Sequence, residues 1–186
     1  MTGALTPNDT ILGCVLAGGE SRRFGSDKAM AKLDGATLLE RAVATLRRYC
    51  GTVVIAGRME GPVPGVADWP EAGLGPLGGL AGALIYARDA GFKAMLTCGV
   101  DSLGLPDDLI SRLSPAPACL AAQPVVGLWP VSALPVLEAI LTGGERRSMR
   151  HFAERAGGRL VELTEPPANI NTPEDLARLT GRTHSD

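Results

Sequence analysis

The chain has 186 residues, 45% hydrophobic but only 4% aromatic, with 18 basic against 20 acidic side chains for a net charge of −2. Such a length suits one domain with a substantial core, and that core must rest on Ala, Leu and Val rather than on rings. Near-neutral charge excludes a broad nucleic-acid footprint, so any anion binding must be local. No apolar run reaches the roughly 20 residues of a membrane span, and Met1 to Asp9 lacks the basic-then-apolar order of a signal peptide. Residues 1–9 are therefore expected to form a flexible N-terminus, 10–180 a single domain and 181–186 a frayed tail. Cys14, Cys50, Cys98 and Cys119 are widely separated, without a Cys-x-x-Cys pair or a nearby histidine. They suit buried free thiols in a reducing compartment better than a zinc site. Only His151 and His184 are present, which excludes a mechanism needing several histidines.

Thr10 to Val15 is a short apolar run of the length of a buried strand. It leads into Leu16-Ala-Gly-Gly-Glu-Ser-Arg-Arg-Phe-Gly-Ser-Asp-Lys28. Gly18 and Gly19 lack a Cβ and can lie close against a ligand. Successive N–H groups in such a turn form an anion-binding concavity, to which Arg22, Arg23 and Lys28 add charge. The stretch is neither a P-loop nor a dinucleotide fingerprint, since neither glycine pattern is present. The same residues would also make a plain glycine turn and a solvated basic loop.

Thr37-Leu-Leu-Glu40 has the capping-box pattern and opens a helix with Leu38, Leu39, Ala42, Val43, Leu46 and Tyr49 on one face. Thr52 to Ala56 reads as a second buried strand, and Gly57 to Ala67 as a loop with room for a brief third. Asp68 to Gly79 is rich in glycine and feeds an Ala/Leu helix over about Leu77 to Ala90, whose small residues allow close packing. Lys93 to Cys98 is a further strand with Asp101 just past its end. Ligands bind outside the carboxyl ends of the strands in an open parallel sheet. Mg²⁺ takes one or two carboxylates plus phosphates, so Asp101 alone would suffice. Asp101 equally suits a loop or a helix cap, although Asp107 could fill that second role.

Pro106 to Leu113 reads as a short helix, Cys119 to Ala122 and Val125 to Trp129 as strands, and Ser132 to Leu141 as a helix. Gly143-Gly-Glu-Arg-Arg147 precedes a helix over Met149 to Ala156, with His151 on its surface. Arg159 to Leu163 alternates as a last strand. In Asn169-Ile-Asn-Thr-Pro-Glu-Asp-Leu176, Thr172 is a natural N-cap with Pro173 at the first helical position and acids in the first turn. That cap needs neither Asn169 nor Asn171, whose amides suit a polar substrate edge. Apolar strands alternating with helices give an α/β fold in three layers around a mostly parallel sheet.

The Leu16–Lys28 stretch resembles the signature loop of the molybdenum cofactor guanylyltransferases, cytoplasmic members of the nucleotidyltransferase superfamily. Gly75-Pro-Leu-Gly-Gly79 and Asn169 to Leu176 resemble the family's second and third motifs, so the likeness spans nearly the whole chain. It implies a Rossmann-like nucleotidyltransferase fold and transfer of GMP from GTP to the terminal phosphate of molybdenum-molybdopterin, releasing pyrophosphate. Arg23, Lys28 and Asp101 would be catalytic, with Mg²⁺ on Asp101. Leu16, Ala17, Gly18, Gly19, Lys28, Asp68, Gly78 and Asp101 would bind the nucleotide, and Arg146, Arg147, Asn169 and Asn171 the acceptor. Partners would be GTP, molybdopterin and, as further candidates, molybdoenzyme apoproteins or their chaperones, with no nucleic acid and no membrane. Two departures stand out: Gln123-Pro124 where family members often have His-Pro, and a short hairpin before it. Cytidylyl or sugar-phosphate nucleotidylyl transfer, and non-catalytic nucleotide binding, are the rival readings.

Overall fold

A computed structural model describes residues 8–18, 27–165, 167–170 and 175. The first strand, β1 (Asn8–Leu16), alternates its side chains between two helical layers. Ile11 and Val15 join one core cluster, and Leu12, Cys14 and Leu16 join the other. This is how a strand covered on both faces reads as a continuous apolar run.

After β1 come a 3₁₀ turn at Lys28–Met30 and a small hairpin, β2 (Lys32–Leu33) with β3 (Ala36–Thr37). The helix α1 (Leu38–Arg47) follows at once. Its expected capping box is complete, with Thr37 Oγ1 accepting from the Glu40 N–H and Glu40 Oε2 accepting from the Thr37 N–H. On β1, Gly13 suits a crowded position, because a Cβ there would lie 3.1 Å from the Val53 Cγ2 and 3.3 Å from the Cys50 Cβ.

The remaining elements are β4 (Cys50–Ala56), β5 (Gly65–Val66), α2 (Pro76–Asp89), β6 (Ala94–Gly99), β7 (Ser102–Leu103), α3 (Leu109–Leu113), β8 (Ala118–Leu120), β9 (Gly127–Pro130), α4 (Leu134–Thr142), α5 (Met149–Arg155), β10 (Arg159–Val161) and β11 (Ala168–Asn169). The main sheet runs β10-β8-β9-β6-β1-β4-β5. Only β9 opposes its neighbours, so six of the seven strands point the same way. The helices α1 and α3 cover one face, and α2, α4 and α5 the other. The expected mostly parallel, three-layer α/β sandwich is what the chain forms.

Among the described residues the sequence-based strands and helices appear, most of them shifted by a residue or two. The β2–β3 hairpin, β7 and β11 were not anticipated. Each is two residues long, too short to show a period of 2. Thr172, Pro173 and Glu174 lie outside the described residues.

Candidate active site

The carboxyl ends of β6, β1 and β4 lie side by side, because Leu16 pairs with Gly99 on one side and with Ala56 on the other. Whatever follows these strands is gathered at one edge of the sheet, as expected for an open parallel fold. Beyond β1 and β4 two loops cross backbone against backbone. Gly57 has φ +81°, and a Cβ on it would fall 2.3 Å from the Gly18 Cα. Neither position has room for a side chain.

These loops form the floor of a cavity of about 900 Å³, walled by Leu16, Gly18, Arg58, Asp68, Gly75 and Gly79. The α2 N-terminus opens onto it through Gly75 (φ 68°) and Pro76, which needs no N–H at that position. The small residues of α2 act as expected. A Cβ on Gly82 would lie 1.9 Å from the Ala67 carbonyl oxygen, so the helix presses directly on the segment carrying Asp68. Hypothetical Cβ atoms on Gly78 and Gly79 would each sit 3.4 Å from an Asp68 carboxylate oxygen. Oδ1 of Asp68 is buried without a hydrogen-bond partner. Burial raises this carboxyl above its ordinary range, opposed by the Gly73 backbone N–H. An acceptor held in that state is set for a donor from a ligand.

On the other side of β1, Lys28 and Asp101 meet. Nζ of Lys28 donates to Asp101 Oδ2 at 2.5 Å, and both side chains are largely buried. Asp27 caps the 3₁₀ turn that carries Lys28, its Oδ1 accepting from the Ala29 N–H. Asp101 sits in the turn between β6 and β7, and Ser102 pairs with Asn169 of β11. Thus two expected site residues far apart in sequence, Asp101 and Asn169, lie one register position apart.

Other expected site residues are placed differently. The Ala17 N–H donates to the Ala56 carbonyl at 2.9 Å. It extends the β1–β4 ladder, so a phosphate cradle would begin at Gly18. Arg147 donates to the Leu141 carbonyl at 3.3 Å, capping the end of α4, while Arg146 is exposed on the same loop. Gly19, Arg22, Arg23 and Asn171 lie outside the described residues. His151 is half-buried and bonded to Glu145 at 2.8 Å, and Glu145 also pairs with Arg155, so this histidine braces the loop.

Two arginines that sequence reading did not single out lie along this edge of the sheet. Arg58 lines the cavity and pairs with Asp27; its signal was its place just past the end of β4. Arg150 on α5 donates to the Ala121 carbonyl at 2.9 Å, beside the turn that holds Gln123. No group of three or more His, Cys, Asp or Glu side chains that could hold a metal exists among the described residues. The four cysteines are free and buried. Desolvation pushes Cys14 and Cys50 up to about 12 and Cys119 to about 11, and raises Cys98 as well. None of them is a thiolate nucleophile.

The chain is similar to known proteins over most of its length. Residues 13–159 match the model of the MobA-like NTP transferase domain. A molybdenum cofactor guanylyltransferase of Rhodobacter capsulatus is 34% identical over 182 residues, spanning 92% of this chain and 96% of that protein. One from Cereibacter sphaeroides is 37% identical over 185 residues, spanning 90% of this chain and 94% of that protein. The chain belongs to the molybdenum cofactor guanylyltransferase family. As a member of that family it is an enzyme, a nucleotidyltransferase. The family fold extends to the molybdopterin-guanine dinucleotide biosynthesis protein A of Archaeoglobus fulgidus, whose crystal structure superposes with a TM-score of 0.74 at 19% identity. That match covers 95% of this chain and all of the other.

Proposed function

We propose that the protein transfers GMP from GTP to the terminal phosphate of molybdenum-molybdopterin, forming the guanine dinucleotide cofactor and releasing pyrophosphate. The observation that carries this reading is the Lys28–Asp101 pair, set at the same sheet edge as a nucleotide-sized cavity and across β1 from it. The reaction needs no protein nucleophile. An acceptor phosphate oxygen attacks the α-phosphorus, the bond to the β-phosphate oxygen breaks, and pyrophosphate leaves. The protein supplies positioning and charge neutralisation.

The backbone from Gly18 to Gly19 cradles the phosphates. Arg23 and Lys28 neutralise the leaving pyrophosphate, Lys28 being held beside Asp101. Asp101 fits a divalent cation, Mg²⁺, as a single carboxylate completed by phosphate oxygens and water, and the ion would neutralise the triphosphate there. Asp68, beside Gly78, accepts from the nucleotide. Guanine offers two adjacent donors, its ring N–H and its amino group, whereas adenine and cytosine offer one amino group each. Asn169, Asn171, Arg146 and Arg147 are assigned to the acceptor. Free, buried thiols suit a reducing cytoplasm.

The test is pyrophosphate release with Mg²⁺ and molybdenum-loaded molybdopterin, comparing GTP, CTP and ATP. Release with GTP alone, lost in Asp101→Ala, is the expected result. Release with CTP would overturn the base assignment. GTP binding without turnover, with acceptor proven competent on another enzyme, would favour a non-catalytic nucleotide binder.

A further inference from the structure

Gln123 is a buried group outside the nucleotide cavity that neither the fold nor the proposed reaction explains. It lies in the turn between β8 and β9 and is only 7% exposed. Its Nε2 donates to the Pro167 carbonyl at 3.0 Å, while its Oε1 is buried with no partner. The carbonyl fixes which way the amide points, since only the nitrogen can donate to it. An amide that forms one bond and leaves its other group unpaired adds little to folding stability.

Location gives the bond its meaning. The turn lies over the end of β6: Thr97 Oγ1 donates to the Val125 carbonyl at 2.7 Å, and the Val126 N–H donates to the Gln123 carbonyl at 2.9 Å. Val125 Cγ1 lies 3.6 Å from where a Gly99 Cβ would project, in the space also bordered by Asp101. Pro167 directly precedes β11, whose Asn169 pairs with Ser102, the neighbour of Asp101. A single side chain thus ties the turn beside Asp101 to the strand that carries Asn169.

We propose that Gln123 is a positioning residue for the acceptor substrate, holding β11 against β7 so that Asn169 stays in register with Asp101. The inference rests on the acceptor-side assignment of Asn169 given above. Gln123→Met keeps the length of the side chain and removes the donor, whereas Gln123→His keeps a ring N–H. Steady-state rates with GTP and molybdenum-loaded molybdopterin should show the acceptor KM of the Met variant raised about tenfold, on the scale of a small misplacement of a bound group. Its GTP KM and thermal midpoint should stay near wild type, and the His variant should recover most of the acceptor KM. Independently of turnover, backbone hydrogen exchange at Ser102 and Leu103 should quicken in the Met variant and stay slow in the His variant.

An unchanged acceptor KM would overturn the proposal. So would both KM values rising together with a lower midpoint, which marks a merely structural role, or unchanged exchange at β7, or a His variant as impaired as Met. A wild-type enzyme that releases no pyrophosphate from GTP sinks the reading of the function itself. Normal wild-type turnover with an indifferent Met variant sinks only the role of Gln123.

Discussion

Asp68 holds its carboxylate where ionisation is unfavourable. Because its pKa is raised on folding, the folded state binds the proton more tightly than the unfolded chain, and stability falls as pH rises through the interval between the two values. Ionisation of this carboxyl therefore opposes folding. Asp68→Asn should leave the thermal midpoint equal or higher while weakening GTP and narrowing its advantage over CTP, read by calorimetry and competition binding. A lower midpoint with unchanged GTP affinity would contradict the assignment. In the wild type, GTP affinity should drop as pH falls through the raised Asp68 titration, because the protonated carboxyl loses acceptor capacity. Lys28→Ala should remove about 3 kcal/mol of transition-state stabilisation, as for other preorganised charge contacts, seen as a fall in kcat/KM for GTP. A normal rate in that variant would refute its role. Lys28 and Asp101 were legible from the sequence as a basic loop and a carboxylate past a strand end. Their direct pairing was not, since 73 positions separate them and only the β1–β6 register brings them together.

At the scale of elements, short-range chemistry was the most readable. Thr37 and Glu40 sit three residues apart, and the capping box formed as read. Thr37→Ala should destabilise the fold by about 1 kcal/mol in chemical denaturation, the usual loss for an N-cap, with kcat for GTP unaffected. The crossing of the loops after β1 and β4 was not readable, because Gly57 looks like any turn glycine until its neighbour is known. With φ +81° and Gly18 in van der Waals overlap with any Cβ, Gly57→Ala should cost about 1–3 kcal/mol of backbone strain. It should also weaken GTP far more than Thr37→Ala does. Equal GTP affinity in the two variants would show that the crossing does not shape the cavity. The two-residue strands β7 and β11 were hidden for a related reason: their pairing is dictated by tertiary placement rather than by side-chain alternation.

Across the whole molecule, the alternation of apolar strands and helices was enough to give the architecture, since a sheet buried on both faces leaves few other arrangements. The antiparallel β9 inserted between β8 and β6 was beyond it, because strand direction depends on connections rather than on composition. The same sheet sets one edge for chemistry, with the cavity after β1 and β4 on one side and Asp101 with β11 on the other. In the proposed reaction the cavity side would hold the donor nucleotide and the β11 side the acceptor, with the α-phosphate crossing between them at Asp101. The direct measurement is the fate of labelled α-phosphate, with GTP or CTP supplied alongside molybdenum-loaded molybdopterin and Mg²⁺. The account predicts label from GTP in a dinucleotide form of the cofactor, none from CTP, and loss of transfer in Asp101→Ala. Label retained in free nucleotide, or passed to the cofactor equally from CTP, would contradict it.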